Sequence, residues 1–561
     1  MYFKLNLANI LNSQSVYEIY FIAVKYKING VKKVLDKPGE GVHFIEIISE
    51  EENVPVIKTD WKKEYLNNHD MYDELIKLAD FYTFSFFKAI LKNNSVTIEG
   101  KQLGIFDWLK ENVKQFALGI PEFSIMSGAF FLFNEIGLEK YIATNSSTPY
   151  PVYLYFLGQK FYSKIPDIFF ARECMNSYNN VFNLATNEGV YRFSINTFKE
   201  LYQTSKLAEY TKLKEDYNLR VKKMPKIEDL LRKSKYYLIN VHPLGRYFVR
   251  EDEENDQVFS EKIIHIGGIE VEIEGKIKHK TNFEKIKAKS VYLKNKIKNS
   301  LNGKNKQIET INVEINDNVD EMKKFIDTWI KKAKCLVIFN MGTAVGYEGF
   351  SREHMKVLID TFEKYNECKY IVENGTFEIN DYYNMNTKKE NILLYYNGNG
   401  IIDKQEILSY TNVVCYITDG GQKSFNEALY AGVPLLVIPF FGEQYFNATL
   451  TKYMQIGITM NYEKFVNEFL EKFKEIMKDL NKFSENAQNI AKAIHSSPST
   501  QIAKFLKTVE KAINDENEEF SPISTDKKLF LKLLEFHSNE LEVHSKFSLD
   551  APCATHCKFT I

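Results

Sequence analysis

The sequence is poor in cysteine and tryptophan and contains no long uninterrupted apolar run. Its 561 residues include six cysteines and three tryptophans. So few cysteines are too sparse for the disulfide framework of a small secreted domain. No segment reaches the roughly 18–20 apolar residues of a membrane-spanning helix, and the N-terminus lacks the pattern of a cleavable signal peptide. As given, the sequence predicts a soluble protein.

A large excess of charge of either sign is also missing. Lys and Arg number 73, Asp and Glu number 74, and the net charge is −1. This balance supplies no general attraction to nucleic acid, so no nucleic-acid partner is predicted. The C-terminal Cys553, His556 and Cys557 lack a second pair of ligands, so we predict no metal site. A chain of this length is expected to form two domains.

The first half alternates between strand-like and helical segments, as α/β proteins do. Val42–Ile48 and Tyr236–Val241 are predicted strands, and Tyr72–Leu91 and Gln102–Phe116 are predicted helices. The composition then becomes rich in Lys and Asn, which predicts a solvated insertion or linker at residues 271–320.

A second α/β unit follows the insertion. Its predicted strands are Cys335–Phe339, Lys369–Val372, Ile392–Tyr396, Val413–Thr418 and Leu435–Pro439. Its predicted helices are Glu353–Lys364, Gln405–Tyr410, Ser424–Ala431, Phe446–Ile456, Asn461–Leu480 and Ala487–Asn514. Cys415 lies inside the apolar run of the predicted strand Val413–Thr418 and is therefore predicted to be a small core residue.

A phosphate-binding motif lies between the strand Val413–Thr418 and the next helix. Gly420 and Gly421 let the backbone turn tightly and approach a ligand closely. The helix start, predicted near Ser424, offers N–H groups and the positive end of a dipole, which together suit a phosphate. Parallel sheets bind ligands at this end of their strands. The alternative without a ligand is an ordinary βαβ unit with a glycine turn.

Polar residues around this loop suit the rest of a nucleotide sugar. Glu427 lies one helical turn after Ser424, where its carboxylate can accept two hydrogen bonds from a ribose diol. Glu443 and Gln444 follow the next strand and can bind sugar hydroxyls. Gly342 and Thr343, which follow the first strand of the unit, add donors at the same edge.

With these residues the sequence resembles the UDP-glycosyltransferases, especially the animal UDP-glucuronosyltransferases. The family signature T-H-G-G-x-N-S-x-x-E-A, G-x-P and F-x-D-Q-x-x-N appears here as Thr418–Ala428, Gly432–Pro434 and Phe441–Asn447. The family's F-S-x-G-[ST] loop appears as Phe339–Thr343, and Leu132–Pro149 and Ser234–Gly268 are similar to its N-terminal half.

The resemblance implies a GT-B fold, with two Rossmann-like, doubly wound α/β domains facing a cleft. Residues 1–270 would bind a small lipophilic acceptor and residues 321–500 a UDP-sugar, while residues 501–561 would return as a helix to the N-terminal domain. It implies inverting hexosyl transfer, of glucuronic acid first of all, with UDP-sugar as co-substrate and no cofactor. It also implies an endoplasmic-reticulum membrane location and a homo- or hetero-oligomer.

Several positions depart from the family. The first strand and the catalytic His that the family carries after it have no counterpart before Met1–Leu11. The carboxylate that partners this His falls on Glu122, which is either catalytic or a solvated loop acid. The phosphate-binding His is Asp419, whose charge opposes a diphosphate, and Lys423 replaces an Asn and offsets it.

The family's uracil-stacking Trp also has no counterpart at Ile401–Lys404, so this aromatic platform is lost unless Tyr395 or Tyr396 replaces it. These departures leave two alternatives open. One is a catalytically impaired relative that binds a nucleotide sugar or a partner. The other is a GT-B enzyme that uses a different nucleotide sugar.

Overall fold

The structure is a computed structural model, and its described residues all belong to one compact unit. They are 2–26, 38–49, 81–123, 127–158, 207–217, 219, 224–247, 261–278, 319–342, 350–374, 391–396, 403–440 and 442–514. Most of the predicted insertion at 271–320, and Cys553, His556 and Cys557 of the tail, lie outside the described residues.

The N-terminal half contains short strands and helices in alternation. Its strands are β1 Ile19–Tyr26, β2 Val42–Ser49, β3 Ser95–Ile98, β4 Lys101–Gly104, β5 Ala143–Asn145, β6 Tyr237–Ile239 and β7 Ile263–His265. Its helices are α1 Tyr2–Ser13, α2 at residues 81–91, α3 Ile105–Glu111, α4 Gly128–Ile136, α5 Pro151–Phe156, α6 Leu207–Asp216, α7 Ile227–Lys233 and α8 Ile269–Glu274.

Parallel pairing dominates this half. β1 pairs with β2, and β5, β6 and β7 form a second parallel sheet in that order. Residues 119–122 lie alongside β5, through parallel bridges from Gly119 to Tyr141 and from Glu122 to Thr144. The carboxyl ends of these segments therefore meet at one edge.

The C-terminal half has longer elements. Its strands are β8 Leu336–Asn340, β9 Lys369–Asn374, β10 Ile392–Tyr396, β11 Val413–Thr418, β12 Leu435–Val437 and β13 Gly457–Thr459. Its helices are α9 Val319–Lys331, α10 Arg352–Lys364, α11 Lys404–Ser409, α12 Gln422–Ala431, α13 Glu443–Tyr453, α14 Phe465–Lys478, α15 Leu480–His495 and α16 Gln501–Asn514.

The six C-terminal strands form one parallel sheet in the order β10-β9-β8-β11-β12-β13. This is the doubly wound order, in which the chain proceeds outward from β8 in one direction and from β11 in the other. All residues of β8 and β11 are buried, as expected for strands covered by helices on both faces. These parallel sheets confirm the predicted α/β fold class, and the buried thiol of Cys415 confirms its predicted core position.

Several predicted helices differ from the structure. The predicted helix Asn461–Leu480 is a 3₁₀ turn, Tyr462–Lys464, followed by α14. The segment Gln102–Phe116 begins as β4, because Glu99 and Gly100 both have positive φ and form the tight turn of a β3–β4 hairpin. Helix α12 begins at Gln422, two residues before the predicted start. Helix α13 begins at Glu443, directly after Gly442. The predicted helix Ala487–Asn514 is two helices, broken at residues 496–500 around Pro498.

Helix α16 packs against the first helix of the chain. Phe505, Val509 and Ala512 share a buried cluster with Phe3 and Leu7 of α1. The first N–H groups of α16 are satisfied by Glu272 of α8, whose two carboxylate oxygens accept from the backbone of residues 501 and 502 at 2.9 Å each.

A disulfide joins Cys335 and Cys368, which precede the neighbouring strands β8 and β9. Both residues are buried, and their Cα atoms lie 4.6 Å apart. This pairing was not predicted from the sequence.

Within the described residues, no helix is both long enough and apolar enough to cross a membrane.

Candidate functional site

The two loops predicted to bind phosphate lie at the point where the strand order reverses. Gly342 follows β8 and the loop Asp419–Gly421 follows β11, and these two strands are hydrogen-bonded neighbours. A Cβ atom on Gly342 would lie 2.8 Å from Asp419 Oδ2, so the loops are in direct contact. Open parallel sheets bind ligands in the crevice at this switch point.

Glycine is required at the centre of the second loop. Gly420 has φ +83°, a left-handed conformation, and a Cβ atom there would lie 2.6 Å from Val437 Cγ1. Gly421 has φ −55° and ψ 149°, and its Cβ would meet nothing closer than Asp419 at 3.6 Å. Asn447 holds the loop by donating from Nδ2 to the Gly420 carbonyl at 2.8 Å.

Gly420→Ala is expected to lower the free energy of unfolding by about 1–3 kcal/mol, because the left-handed backbone and Val437 both resist a methyl group. Gly421→Ala is the matched control and is expected to leave stability almost unchanged. Chemical denaturation of the two variants measures the difference. Equal stabilities would contradict this description of the loop.

Asp419 is buried inside its own loop. One carboxylate oxygen accepts from the Gly421 N–H at 3.1 Å and the Thr418 hydroxyl at 3.2 Å, and the other accepts from Gln444 Nε2 at 2.7 Å. The side chain is 3% exposed. Burial raises the pKa of Asp419 to about 6, against the opposing effect of the Gly421 hydrogen bond. The carboxylate therefore already accepts hydrogen bonds from donors that a bound anion would need.

The start of α12 offers backbone donors beside this carboxylate. Gly421 precedes the helix and has no side chain with which to cap the first N–H groups. Because the helix begins at Gln422, Ser424 lies within its first turn rather than at its start. The Ser424 hydroxyl is buried and bonds to the Tyr416 hydroxyl at 3.1 Å and to Lys404 Nζ at 3.2 Å.

Glu427 is fully buried beneath this turn and is held by basic and amide groups. Lys404 Nζ lies 2.7 Å from Glu427 Oε2, and Lys423 Nζ lies 3.8 Å from Oε1. Gln405 Nε2 donates to Oε1 at 3.2 Å. Lys404 is 20% exposed and Lys423 is 43% exposed, so the closer lysine is also the more buried.

The predicted acid–amide pair lies in the first turn of α13. Gln444 links two loops, since its Oε1 accepts from the Phe440 N–H at 2.8 Å while its Nε2 donates to Asp419. Burial raises the pKa of Glu443, as does the charge of Asp419, while the Ser147 hydroxyl opposes the shift. The Glu443 carboxyl therefore faces the N-terminal half of the chain.

Eight of the predicted site residues thus surround one edge of the sheet: Gly342, Gly420, Gly421, Lys423, Ser424, Glu427, Glu443 and Gln444. Thr343 lies outside the described residues. Lys404 and Gln405, which contact Glu427, were not predicted as site residues, and Asn447 was identified only as the last residue of the signature. The capping pattern Asp403-x-x-Glu406, in which the Glu406 N–H donates to Asp403 Oδ1 at 3.1 Å, could have moved the predicted start of α11 from Gln405 to Lys404.

Glu122, the predicted site residue of the N-terminal half, lies at the carboxyl end of the segment beside β5. It is 6% exposed, so it is not a solvated loop acid. Its carboxylate accepts from the backbone N–H of Ser146 at 2.9 Å. Two residues later, Thr148 Oγ1 donates to Gln422 Oε1 at 2.9 Å. The loop 146–148 therefore connects Glu122 with the start of α12.

A second contact between the halves lies deeper. Asn426 Nδ2 donates to Asn240 Oδ1 at 3.3 Å and to Glu270 Oε1 at 3.5 Å. Burial raises the pKa of Glu270 to about 7, and the negative charge of Glu427 adds to this shift. The helix that begins at the glycine loop is therefore bound to the N-terminal half by buried polar groups.

Among the described residues, no group of three or more His, Cys, Asp or Glu side chains is arranged to hold a metal ion.

Residues 388–506, which include the glycine loop, α12 and α13, match the sequence model of the family described as "UDP-glucoronosyl and UDP-glucosyl transferase". The chain carries a domain of this family. The UDP-glycosyltransferase domain thus contains Asp419, Gly420, Gly421 and Glu427 together with Gln444.

Curated relatives match this chain at low identity over part of its length. Human UDP-glucuronosyltransferase 3A2 is 33% identical over 79 residues, which are 14% of this chain and 15% of that protein. The nematode protein ugt-47 of Caenorhabditis briggsae is 25% identical over 210 residues, and ugt-46 of Caenorhabditis elegans is 26% identical over 208. The matches span 37% and 38% of these two nematode relatives and 36% of this chain.

Solved structures of similar shape include two plant proteins. Os79 from O. sativa, in complex with UDP, is 11% identical and has a TM-score of 0.49, with 91% of this chain and 97% of that chain covered. Medicago truncatula UGT71G1, complexed with UDP-glucose, is 14% identical and has a TM-score of 0.47, with 91% and 94% covered.

Proposed function

We propose that this chain binds a UDP-sugar at the edge formed by β8, β11 and α12, and transfers its hexosyl group to a small lipophilic acceptor with inversion. The observation that carries the proposal is the contact between Gly342 and the loop Asp419–Gly421 at the switch point. This loop leads directly into α12, whose first N–H groups have no side-chain cap. The family match of residues 388–506 supports UDP-sugar chemistry at this site.

In this proposal each predicted site residue binds one part of the donor. The diphosphate lies at the start of α12, where the backbone N–H groups and the helix dipole stabilise the charge of departing UDP. Glu427 accepts hydrogen bonds from the ribose hydroxyls, and these bonds replace part of its contact with Lys404. Glu443 and Gln444 bind the hexose, and Gly342 and Lys423 complete the phosphate contacts.

Two buried oxygens near the loop support a hydroxyl-rich ligand. Gln405 Oε1 and Asn447 Oδ1 are buried and accept no hydrogen bond from any described residue. Their residues contact Glu427 and Gly420, respectively. Buried acceptors of this kind are costly unless donors reach them, and the hydroxyl groups of a nucleotide sugar are such donors.

In this proposal residues 1–270 form the N-terminal domain, which binds the acceptor. Residues 321–500 form the UDP-sugar-binding domain, and residues 501–561 return to the N-terminal domain. Glucuronic acid is the first sugar to test. No cofactor is required, because the departing diphosphate is stabilised by backbone groups.

A second candidate function is nucleotide-sugar binding without turnover. Asp419 favours it, because its buried carboxylate occupies the donors nearest to the proposed diphosphate. Turnover and binding must therefore be measured separately.

Calorimetric titration with UDP, UDP-glucuronic acid and UDP-glucose is expected to show binding, whereas ADP-glucose is expected to bind at least tenfold more weakly, a difference of about 1.4 kcal/mol. Release of UDP in the presence of phenolic acceptors then measures transfer. Binding with no release would support the second candidate, and absence of heat with every uridine nucleotide would sink both.

A further inference from the structure

A lysine lies against Glu122 on the N-terminal side of the proposed cleft. Lys4 is in the first turn of α1, and its Nζ is 3.6 Å from Glu122 Oε2. The lysine side chain is 28% exposed. Glu122 itself is almost completely buried, so its position is fixed by the protein around it.

Hydrogen bonds hold the carboxylate of Glu122 in one orientation. Oε1 accepts from the N–H and the hydroxyl of Ser146, at 2.9 Å and 3.0 Å, and Oε2 accepts from the Thr144 hydroxyl at 3.1 Å. Packing of α1 fixes the other partner, because Phe3 and Leu7 are buried against α16. The pair therefore has little freedom to separate.

The pair lies close to the residues of the proposed donor site. Ser146, which binds Glu122, is followed by Ser147, whose hydroxyl acts on Glu443, and by Thr148, which donates to Gln422. Consecutive Cα atoms are 3.8 Å apart, so residues 146 to 148 span at most about 7 Å. Lys4 is thus linked to the starts of α12 and α13 through Glu122 and residues 146–148.

We propose that Lys4 is the base that removes the proton from the acceptor hydroxyl, and that Glu122 is the residue that positions it. The inference rests on the proposed transfer function. The lone pair of Lys4 Nζ takes the acceptor proton, and the acceptor oxygen forms a bond to C1 of the hexose. The bond from C1 to the diphosphate oxygen breaks, its electron pair leaves with UDP, and the lysine proton passes to solvent.

The electrostatics of the pair suit this role. Burial lowers the pKa of Lys4, and the carboxylate of Glu122 opposes that shift. Among the described residues, Glu122 is the charged group that acts on this amine. A base must be neutral to accept a proton, so transfer is expected to increase with pH as Lys4 deprotonates. Removing the charge of Glu122 lowers the pKa of Lys4 further and moves this rise to lower pH.

Lys4→Arg is the decisive variant, because arginine keeps the ion pair and the positive charge but does not deprotonate. We expect kcat/KM for transfer to fall by about a hundredfold or more, with unchanged UDP-glucose affinity and unchanged Tm. Lys110→Arg, on the exposed face of α3, is the control. Glu122→Gln is expected to shift the pH profile to lower pH, an effect that a purely structural role would not produce.

Each outcome has one meaning. Full transfer by the Arg variant, with donor binding intact, would overturn the role of Lys4 and leave the proposed function standing. Donor binding by the wild-type protein without transfer would also overturn it. Failure of the wild-type protein to bind any UDP-sugar would overturn the proposed function itself.

Discussion

Asp419→Asn is expected to tighten the binding of UDP-glucose at pH 8 by about tenfold or more. The ionised carboxylate lies beside the proposed diphosphate and uses the Gly421 N–H and the Gln444 amide, which are donors that an anion needs. Two like charges about 4 Å apart repel by about 4 kcal/mol at an effective dielectric constant of 20. Asparagine keeps the size of the side chain and removes the charge.

The same carboxyl makes the wild-type affinity depend on pH. The pKa of Asp419 is raised to about 6, so the group takes up a proton as the pH falls from 8 toward 5. The neutral form does not repel the diphosphate, and wild-type affinity is therefore expected to increase as the pH falls. The Asn variant is expected to show no such increase.

Calorimetry with UDP-glucose at pH 5, 6.5 and 8 tests both expectations, with the pH series spanning roughly one unit or more on each side of a group that titrates near 6. UDP-glucose is preferred to UDP because its diphosphate diester keeps the same charge over this range. Asp360→Asn, exposed on α10, controls for the loss of one acid. Weaker binding by the Asp419 variant at pH 8 would show that the carboxylate supports the loop instead of opposing the ligand.

Lys404→Met is expected to lower both stability and donor affinity. Its ammonium group is 2.7 Å from the fully buried carboxylate of Glu427, so its loss leaves a buried charge without its nearest partner. Removing one partner of a buried pair costs about 3–5 kcal/mol, and we expect about 1–3 kcal/mol here because Lys404 is partly exposed and Lys423 is also near. Donor affinity is expected to fall about tenfold or more, because a cation beside Ser424 and the diphosphate is lost.

Two further variants separate these effects. Lys423→Met is the matched control, since this lysine is more exposed and 3.8 Å away, and its loss is expected to cost less than about 1 kcal/mol. The double variant Lys404→Met with Glu427→Gln removes the uncompensated charge and is expected to recover most of the stability without recovering donor affinity. Chemical denaturation measures the stability and calorimetry the donor affinity. Equal effects of the two lysine variants would contradict the larger contribution expected of Lys404.

The strands of the C-terminal sheet were predictable because their sequences are continuous apolar runs. Val413–Thr418 and Ile392–Tyr396 were predicted with the bounds that the structure has. Boundaries decided by backbone conformation were less accessible, such as the hairpin turn at Glu99 and Gly100. The start of α12 was predicted late because Gly421 already ends the turn and Ser424 has no capping role.

Contacts between distant segments account for the site residues that were not predicted from the sequence. Glu427 and Ser424 were identified from spacing within one helix, whereas Lys404 reaches them from another helix. No sequence motif around the start of α11 indicates that Lys404 contacts Glu427. The pairing of Cys335 with Cys368 likewise depends on the strand order, which places the starts of β8 and β9 side by side.

The contact between the first and last helices of the described chain has a consequence for synthesis. Phe3 and Leu7 are synthesised about 500 residues before their neighbours Phe505 and Val509. At roughly 5–20 residues per second, about half a minute or more separates them. During that interval the apolar face of α1 lacks part of its final cover, and it gains that cover only once the residues of α16 have been made.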